Sequence, residues 1–377
     1  MMRHAKILSS GVICRDVFMY SSHPHAVLTA EGAILVVFNQ TRRRPFILHP
    51  PHDPGYRNLI SRSSDGGKSW TPPEVVPNYE FHGTECASLT TLSNGTILLN
   101  QWTFRWYPLG LARNSRAAES ELHFPEAFVR ELIESGELST GEEIAASPTA
   151  FTPWARGHGD SWVHSSADNG ASFSKTAKVD TGPFHGGYGM RGILELPDGE
   201  LLLPLNDIPE YRTVFMVRSR DGGASWRKPT LIAREAGHLF TEPAMALNIR
   251  GEIVTLMRDD AARVMHSCRS SDGGRTWSAP LSTGIDGYPP HLLVLSDRRI
   301  LCTYGRRQPD FSIRAVLSED GGMSWLAADP VCIRGQLPNR DLGYPATIEL
   351  HDRSLFTVYY CQDREGVTGI EFTRWQL

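Results

Sequence analysis

One eight-residue pattern recurs five times in this 377-residue chain and restricts its fold more than any other feature. The pattern is Ser, any residue, Asp, any residue, Gly, two further residues and an aromatic ring. Its copies are Ser63 to Trp70, Ser166 to Phe173, Ser219 to Trp226, Ser270 to Trp277 and Ser318 to Trp325. Such recurrence is typical of architectures in which each copy belongs to one structural unit.

The residue types of the repeat suit a turn between two strands. An Asp carboxylate accepts hydrogen bonds from backbone N–H groups inside a turn, and Gly supplies the positive φ that the chain needs there. We therefore expect the five aspartates to hold turns, and we assign none of them a catalytic role.

These copies resemble the Asp-box, or BNR, repeat of the sialidase (neuraminidase) superfamily. The resemblance implies that each copy links the third and fourth strands of a blade in a β-propeller.

A second repeat gives the number of blades. Short apolar runs flank a tight polar turn at six places, which are 30–32, 93–95, 197–199, 249–251, 296–298 and 351–353. Apolar runs on either side of a tight turn indicate β-hairpins. The predicted fold class is therefore all-β, a six-bladed β-propeller that forms a single domain over residues 1–377. The sixth unit lacks an Asp-box, and we expect a strand near Gly11 to Cys14 to complete it.

Blade two is predicted to carry an insertion over about residues 107–156. The hairpins at Gly95 and Gly199 lie about twice as far apart as other neighbours, and the segment from Phe124 to Glu134 has helical spacing, with Pro125 near its start. This partly helical insertion either covers the site, mediates oligomer contacts or decorates the surface.

Charge and composition exclude several classes of partner. The net charge is −4, so no general attraction to nucleic acid or anionic lipid is expected. No apolar run approaches the ~20 residues of a membrane span, and the N-terminus lacks the apolar segment of a secretory signal. These features predict a cytoplasmic protein without a membrane partner. The oligomeric state is left open.

The cysteine and histidine residues imply no metal and no organic cofactor. The six cysteines are scattered without the paired spacing of a zinc site, and reduced core thiols are the expected state. The histidines form no closed ligand set in the sequence, although a structural ion on the propeller axis is left open.

The resemblance implies catalytic positions in blades four and six. Sialidases pair a Glu early in the fourth blade with a nucleophilic Tyr in the last blade, and Glu242 and Tyr344 match these places. A phenol with a pKa near 10 is a poor nucleophile at neutral pH until a neighbouring carboxylate takes its proton. Sialidases are known for a Tyr nucleophile.

The same family binds the substrate carboxylate with three arginines, because guanidinium pairs with carboxylate through two hydrogen bonds. Arg258 matches one of them, and Arg306 or Arg307 matches a second. The first arginine of the family is missing, since Ser22 and His23 occupy that part of blade one. His23 or His25 is expected to contact the substrate anion or transfer a proton, and Arg191 is the candidate for the absent charge.

The family's general acid is an Asp in the loop after the second strand of blade one. Asp53 is the only carboxylate in the corresponding loop, which makes it the candidate acid, and a turn-forming Asp before Pro54 is the alternative.

Three functions are compatible with these residues. The first is an exo-glycosidase that hydrolyses a terminal sialic acid or related acidic sugar, with a small acidic sugar or glycan end as partner and no nucleic acid. The second is a polysaccharide lyase that acts on uronate-containing glycans, which the histidines of blade one favour. The third is a non-catalytic carbohydrate-binding propeller, because fold alone does not fix function.

Overall fold

The computed structural model describes residues 3–44, 53–78, 82–114, 122–124, 154–184, 186–208 and 211–377. Over these residues the chain forms six sheets, antiparallel except for one short parallel pair, and neighbouring sheets pack face to face. The predicted six-bladed β-propeller is confirmed.

The first half of the chain forms the N-terminal strands and three blades. The N-terminal strands are β1 (Arg3–His4) and β2 (Lys6–Cys14). Blade one contains β3 (Met19–Leu28), β4 (Ile34–Arg42), β5 (Arg57–Ser63) and β6 (Glu74–Val75). Blade two contains β7 (His82–Thr91), β8 (Ile97–Pro108), β9 (Trp154–Ser166) and β10 (Lys175–Lys178), with the short helix α1 (Leu109–Asn114) after β8. Blade three contains β11 (Leu194–Glu195), β12 (Leu201–Asn206), β13 (Val214–Ser219) and β14 (Arg227–Ala233).

The second half forms three further blades. Blade four contains β15 (Phe240–Leu247), β16 (Ile253–Asp259), β17 (His266–Ser270) and β18 (Leu281–Ser282). Blade five contains β19 (Tyr288–Val294), β20 (Ile300–Arg306), β21 (Ser312–Ser318) and β22 (Val331–Arg334). Blade six contains β23 (Leu342–Glu349), β24 (Leu355–Gln362) and β25 (Thr368–Gln376).

The two termini close the ring as the sequence predicts. Strand β2 pairs with β25 in antiparallel register, from Lys6 opposite Gln376 to Cys14 opposite Ile370. It is the fourth and outermost strand of blade six, and it is longer than the predicted segment. Strand β1 adds a further contact, because it pairs in parallel with β22 of blade five.

Each Asp-box connects the third and fourth strands of its blade. In the box of blade four, Asp272 Oδ1 accepts the N–H groups of Arg275 and Thr276, and Ser270 Oγ accepts the N–H of Gly274 at 2.8 Å. The predicted turn-holding role of these aspartates is confirmed.

The box also sets the spacing between blades. Gly274 has a φ of 73°, and a Cβ atom on it would lie 2.5 Å from Met216 Cε in blade three. Gly322 in the box of blade five stands in the same relation to Val254 in blade four, at 2.7 Å. Glycine is therefore required both by the backbone angle and by the close approach of the previous blade.

Apolar side chains fill the space between neighbouring blades. Leu98 and Val163 of blade two, for example, pack in one cluster with Leu203, Phe215 and Trp226 of blade three. Strands that are buried on both faces, such as β12 and β16, carry nearly continuous apolar runs. No helix among the described residues is long and apolar enough to cross a membrane.

The insertion is described only at its two ends. Strand β8 runs to Pro108 and is followed by α1, while β9 begins at Trp154. The predicted helix from Phe124 to Glu134 lies, apart from Phe124, outside the described residues. The six cysteines are free thiols, and all except Cys14 are buried.

Candidate active site

The inner strands of the blades carry a repeated irregularity at one mouth of the propeller. The pairing of the first with the second strand shifts register between Ser22 and His25, Glu85 and Ser88, Thr241 and Ala244, Tyr288 and His291, and Gly343 and Ala346. Such bulges redirect a side chain away from the regular alternation of a strand.

Four of these bulges contain a non-glycine residue at positive φ. The angles are 51° for His23, 26° for Cys86, 53° for Glu242 and 48° for Tyr344. This conformation is strained for residues with a Cβ atom, and such strain often accompanies functional sites. Two asparagines support the bulges, because Asn206 Oδ1 accepts the N–H of Glu242 and Asn39 Oδ1 accepts that of Cys86, each at 3.1 Å.

Glu242 and Tyr344 meet at this mouth. The Tyr344 hydroxyl donates a hydrogen bond of 2.5 Å to Glu242 Oε1, and Arg258 Nη1 donates to Glu242 Oε2 at 3.2 Å. Both side chains are buried. The structure thus brings together the two residues that the resemblance paired.

The protonation states of this pair follow from its surroundings. Burial alone would raise the pKa of Glu242, but Arg258, the Tyr344 hydroxyl and Arg191 together hold it below its ordinary value. Burial and the Glu242 carboxylate raise the pKa of Tyr344 well above its ordinary value, although Arg258 and Arg307 act in the opposite direction. The resting pair is therefore a neutral phenol beside a carboxylate that can take its proton.

Three arginines surround the pair. The guanidinium carbon of Arg191 lies 5.1 Å from the centre of the Tyr344 ring, and that of Arg307 lies 5.4 Å from it. Arg307 also donates to the Tyr360 hydroxyl at 2.7 Å, while Arg258 lies 4.2 Å from the centre of the Tyr288 ring. These arginines come from blades three, four and five, so positive charge is present although blade one supplies no arginine.

Arg306 lies differently from Arg307. Its Nε donates to Asp286 at 3.2 Å, and its Nη1 donates to the carbonyl oxygens of Gln308 and Pro309. These bonds hold Arg306 against its own loop. Of the two arginines that the sequence proposed for blade five, Arg307 is the one beside Tyr344.

The two histidines of blade one occupy different environments. The His23 ring meets the Tyr344 ring edge to face, with the centres 4.2 Å apart. His25 is buried, its Nδ1 accepts the N–H of Leu89 at 3.3 Å, and its ring centre lies 5.3 Å from that of His291. Burial, His291 and Arg191 hold the pKa of His25 well below its ordinary value, so His25 is neutral. Of these two histidines, His23 is therefore the one whose ring contacts Tyr344.

The Asp53 carboxylate accepts hydrogen bonds from residues close to it in the sequence. Arg44 forms two bonds with it, of 2.6 and 2.9 Å, and the N–H of Gly55 donates to it at 2.8 Å. Thr41 is a fourth neighbour, at 3.4 Å. This bonding matches the turn-forming alternative for Asp53.

Glu85 is a further candidate site residue, and neither the repeats nor the family resemblance indicates a role for it. It lies on β7 directly before the Cys86 bulge, is 9% exposed, and has one carboxyl oxygen, Oε2, buried without a hydrogen-bond partner among the described residues. Burial raises the pKa of Glu85 to about 8, with Arg156 acting against this and Glu242 adding to it. Glu85 is therefore a neutral carboxylic acid at neutral pH.

The position of Glu85 in the sequence could have identified it as a candidate site residue. Glu85 precedes its bulge just as Thr241 precedes Glu242 and Gly343 precedes Tyr344. Glu85 is the one carboxylate on β7, and it lies one position before the bulge. Its burial, which gives it the raised pKa, is visible only in the folded chain.

Residues 144–359 match the family described as BNR repeat-like domain. The chain belongs to this family. No curated protein sequence matches the chain. The BNR repeat-like match covers four of the five Asp-boxes together with Glu242 and Tyr344.

Solved structures with the same fold include both uncharacterised proteins and glycosidases. A protein of unknown function from Dyadobacter fermentans DSM 18053 is 21% identical, with a TM-score of 0.79 and 99% of each chain covered. A mutant of NanB sialidase from Streptococcus pneumoniae is 13% identical, with a TM-score of 0.68 over 99% of this chain and 71% of that one. An α-L-arabinanase from Penicillium chrysogenum, complexed with arabinobiose, is 12% identical, with a TM-score of 0.62 over 98% of each chain. At these identities the similarity shows a sialidase-like propeller fold.

Proposed function

We propose that this protein is a retaining exo-glycosidase that hydrolyses a terminal sialic acid or a related acidic sugar. The observation that carries the proposal is the 2.5 Å hydrogen bond from Tyr344 to Glu242, with Arg191, Arg258 and Arg307 around it. A buried phenol is hydrogen-bonded to a base, and the three guanidinium groups beside it are of the chemical type that binds a substrate carboxylate. The sialidase of Streptococcus pneumoniae with the same fold supports this substrate class.

The arginines orient the substrate in this proposal. Guanidinium groups bind a carboxylate through two parallel hydrogen bonds, and burial strengthens the attraction. Arg191 has Nε and Nη2 buried without a hydrogen-bond partner among the described residues. Burial lowers the pKa of Arg191, but a guanidinium remains charged at neutral pH. A substrate anion would satisfy these N–H groups.

Attack by Tyr344 begins the reaction. As the phenolic oxygen bonds to the anomeric carbon, its proton passes to Glu242 Oε1, and the bond to the leaving oxygen breaks. A neutral phenol approaches an anionic sugar with less repulsion than a carboxylate would. In the second step water attacks the same carbon, the phenolic oxygen leaves, and Glu242 returns its proton to Tyr344.

The leaving oxygen needs a proton, and two carboxyl groups are candidates to supply it. Asp53 matches the family position, but both of its oxygens are bonded to groups in blade one. Glu85 holds a proton at neutral pH because of its burial. We assign the proton donation to Glu85, which in the second step takes a proton from the attacking water.

Elimination is the second candidate function, and the contact between His23 and Tyr344 favours it. In that reaction a base removes the proton next to an arginine-bound carboxylate, and the product contains a conjugated double bond. The hydrogen bond between Tyr344 and Glu242 favours hydrolysis, because it gives the phenol a base that takes its proton as the oxygen attacks the anomeric carbon.

One assay separates these functions. The protein is incubated with sialyl and uronate-terminated oligosaccharides, and the products are analysed by chromatography with absorbance detection. Release of a saturated acidic sugar, abolished by Tyr344→Phe, supports the proposal. An ultraviolet-absorbing unsaturated product would show elimination, and turnover by Tyr344→Phe at the wild-type rate would overturn the nucleophile assignment.

A further inference from the structure

Two histidines and one aspartate converge at the end of blade four, outside the catalytic pair. His238 lies in the loop before β15, Asp259 is the last residue of β16, and His266 is the first residue of β17. One ligand atom from each lies within 4.8 Å of the others. Among the described residues this is the only group of three such side chains.

We propose that His238, Asp259 and His266 form a binding site for a divalent transition-metal ion, with Zn²⁺ as the best-matched ion. Two imidazoles and one carboxylate are a common ligand set for zinc and for other first-row metals. The site is independent of the proposed hydrolysis, since none of these three residues belongs to the catalytic pair or its arginines.

The distances fit a metal site with a small adjustment. Zinc bonds nitrogen and oxygen at about 2.0–2.2 Å, which places two ligand atoms of a tetrahedral site roughly 3.3 Å apart. His266 Nδ1 lies 3.3 Å from Asp259 Oδ2. His238 Nδ1 lies 2.5 Å from the same oxygen, which is a hydrogen-bond distance. A metal ion would replace the proton in that bond, and the two atoms would separate by less than about 1 Å.

The carboxylate is already held in place for this role. Asp259 Oδ1 accepts the N–H groups of Leu239 at 3.1 Å, Ala261 at 3.0 Å and Ala262 at 3.3 Å. These bonds fix the orientation of the carboxylate and leave Oδ2 facing both imidazoles. Supporting hydrogen bonds of this kind orient the ligands of metal sites.

His266 supplies the second observation that indicates a ligand. It is 7% exposed, and its buried Nδ1 lies 3.3 Å from Asp259 Oδ2 without the geometry of a hydrogen bond, so that it has no hydrogen-bond partner among the described residues. A buried ring nitrogen without a partner is costly, and a metal ion would satisfy it.

The site has an entrance and a free coordination position. The His238 side chain is 27% exposed, which gives an ion a path from solvent. Three protein ligands leave one tetrahedral position for water. Because Asp259 follows Arg258 directly on β16, a bound ion would also fix the end of the strand that carries this arginine.

The test measures binding of Zn²⁺ and Co²⁺ to the full chain after treatment with a chelator. Calorimetry gives the stoichiometry and affinity, and the visible absorption of Co²⁺ reports tetrahedral coordination. We expect one ion per chain, a rise in the melting temperature with added Zn²⁺, and binding at least tenfold weaker in His266→Ala and His238→Ala. The exposed turn residue His351 offers a matched control, and His351→Ala should bind like the wild type.

His266→Ala removes a buried ring and can misfold. His238→Ala still tests the proposal in that case, because the His238 ring is partly exposed and its loss should leave the fold intact. Circular dichroism of each variant checks this. Absence of a bound ion in the wild type, or equal affinity in wild type and His238→Ala, would overturn the proposal.

Discussion

The Tyr344 hydroxyl donates to Glu242 Oε1 at 2.5 Å, although 102 residues separate them in the chain. Each residue has a positive φ and is followed by a proline, and each lies in a bulge of an inner strand. Two strained backbone positions, one in blade four and one in blade six, thus aim two side chains at each other. Such strain persists only where the packing of the surrounding structure compensates for it, and it is common at functional sites.

Replacement of Tyr344 by Phe should abolish hydrolysis of an acidic glycoside. The variant removes one oxygen atom and leaves the buried ring, so the melting temperature should change little. Loss of the nucleophile should lower kcat by at least about 10³-fold, a typical cost when a group that makes or breaks bonds is removed. Steady-state kinetics and circular dichroism measure the two effects.

Tyr360→Phe is the matched control for this variant. Tyr360 lies in the same cluster, and its hydroxyl accepts a hydrogen bond from Arg307. Its loss should affect KM more than kcat, because Arg307 loses a partner while the nucleophile remains. An equal loss of kcat in Tyr344→Phe and Tyr360→Phe would contradict the assignment of Tyr344 as the nucleophile and would indicate that both hydroxyl groups maintain the packing of the site.

The pH dependence of kcat/KM should be bell-shaped. Glu242 must be ionised to accept a proton, and its pKa lies below the ordinary 4.5, so the acid limb should fall below that pH. Glu85 must be protonated to donate, and activity should decline as the pH rises through about 8. Initial rates with a natural glycoside across this range check both limbs.

Glu85→Gln should remove the alkaline limb and lower kcat for substrates with a poor leaving group by about 10²–10⁴-fold. For an aryl glycoside, whose leaving group needs no proton, kcat/KM should stay close to the wild-type value, while kcat should fall because Glu85 also takes the proton of the attacking water in the second step. Asp53→Asn is the comparison: if that variant shows this leaving-group dependence and Glu85→Gln does not, the proton donor is Asp53.

The pH dependence of folding stability gives a second measure of the Glu85 pKa. In the unfolded chain Glu85 ionises near its ordinary value of 4.5, whereas in the folded chain its pKa is about 8. The folded state therefore holds the extra proton between these values, so wild-type stability should fall as the pH rises through that range. Glu85→Gln should lack this decline, which thermal unfolding at several pH values would show.

Arg307→Lys and Arg258→Lys should weaken binding of an acidic substrate. Lysine keeps the charge but cannot form the two parallel bonds of a guanidinium, so KM should rise about 10- to 100-fold. Arg306→Lys is the control, because Arg306 bonds Asp286 and its own loop. A KM equally raised by Arg306→Lys would contradict the assignment of Arg307 to the substrate.

The sequence predicted the features that depend on local repeats. Turn residues determine the conformation of only a few neighbouring positions, so the Asp-boxes and hairpins could be recognised in the sequence and the blades counted. The ring closure by β2 was predictable because the sixth unit lacked its fourth strand. Glu242 and Tyr344 could be paired through the resemblance. The choice of Arg307 over Arg306 was not predictable, because the two residues are adjacent at the end of β20 and differ only in the direction in which the chain points their side chains. The raised pKa of Glu85 and the meeting of His238 with Asp259 depend on burial and on contacts between distant elements.

Ser270→Ala should destabilise the fold without changing the catalytic residues. Ser270 is 3% exposed, and its Oγ accepts the N–H of Gly274 while donating to Asp272 Oδ1. Its loss leaves a buried N–H without a partner, which costs about 1–3 kcal/mol. Because Gly274 packs against Met216 of blade three, the damage should spread to the interface between the two blades. Chemical denaturation measures the loss, and kcat per folded molecule should be unchanged, since the box lies away from Glu242. A stability equal to that of the wild type would show that the Asp-box turn forms without its serine.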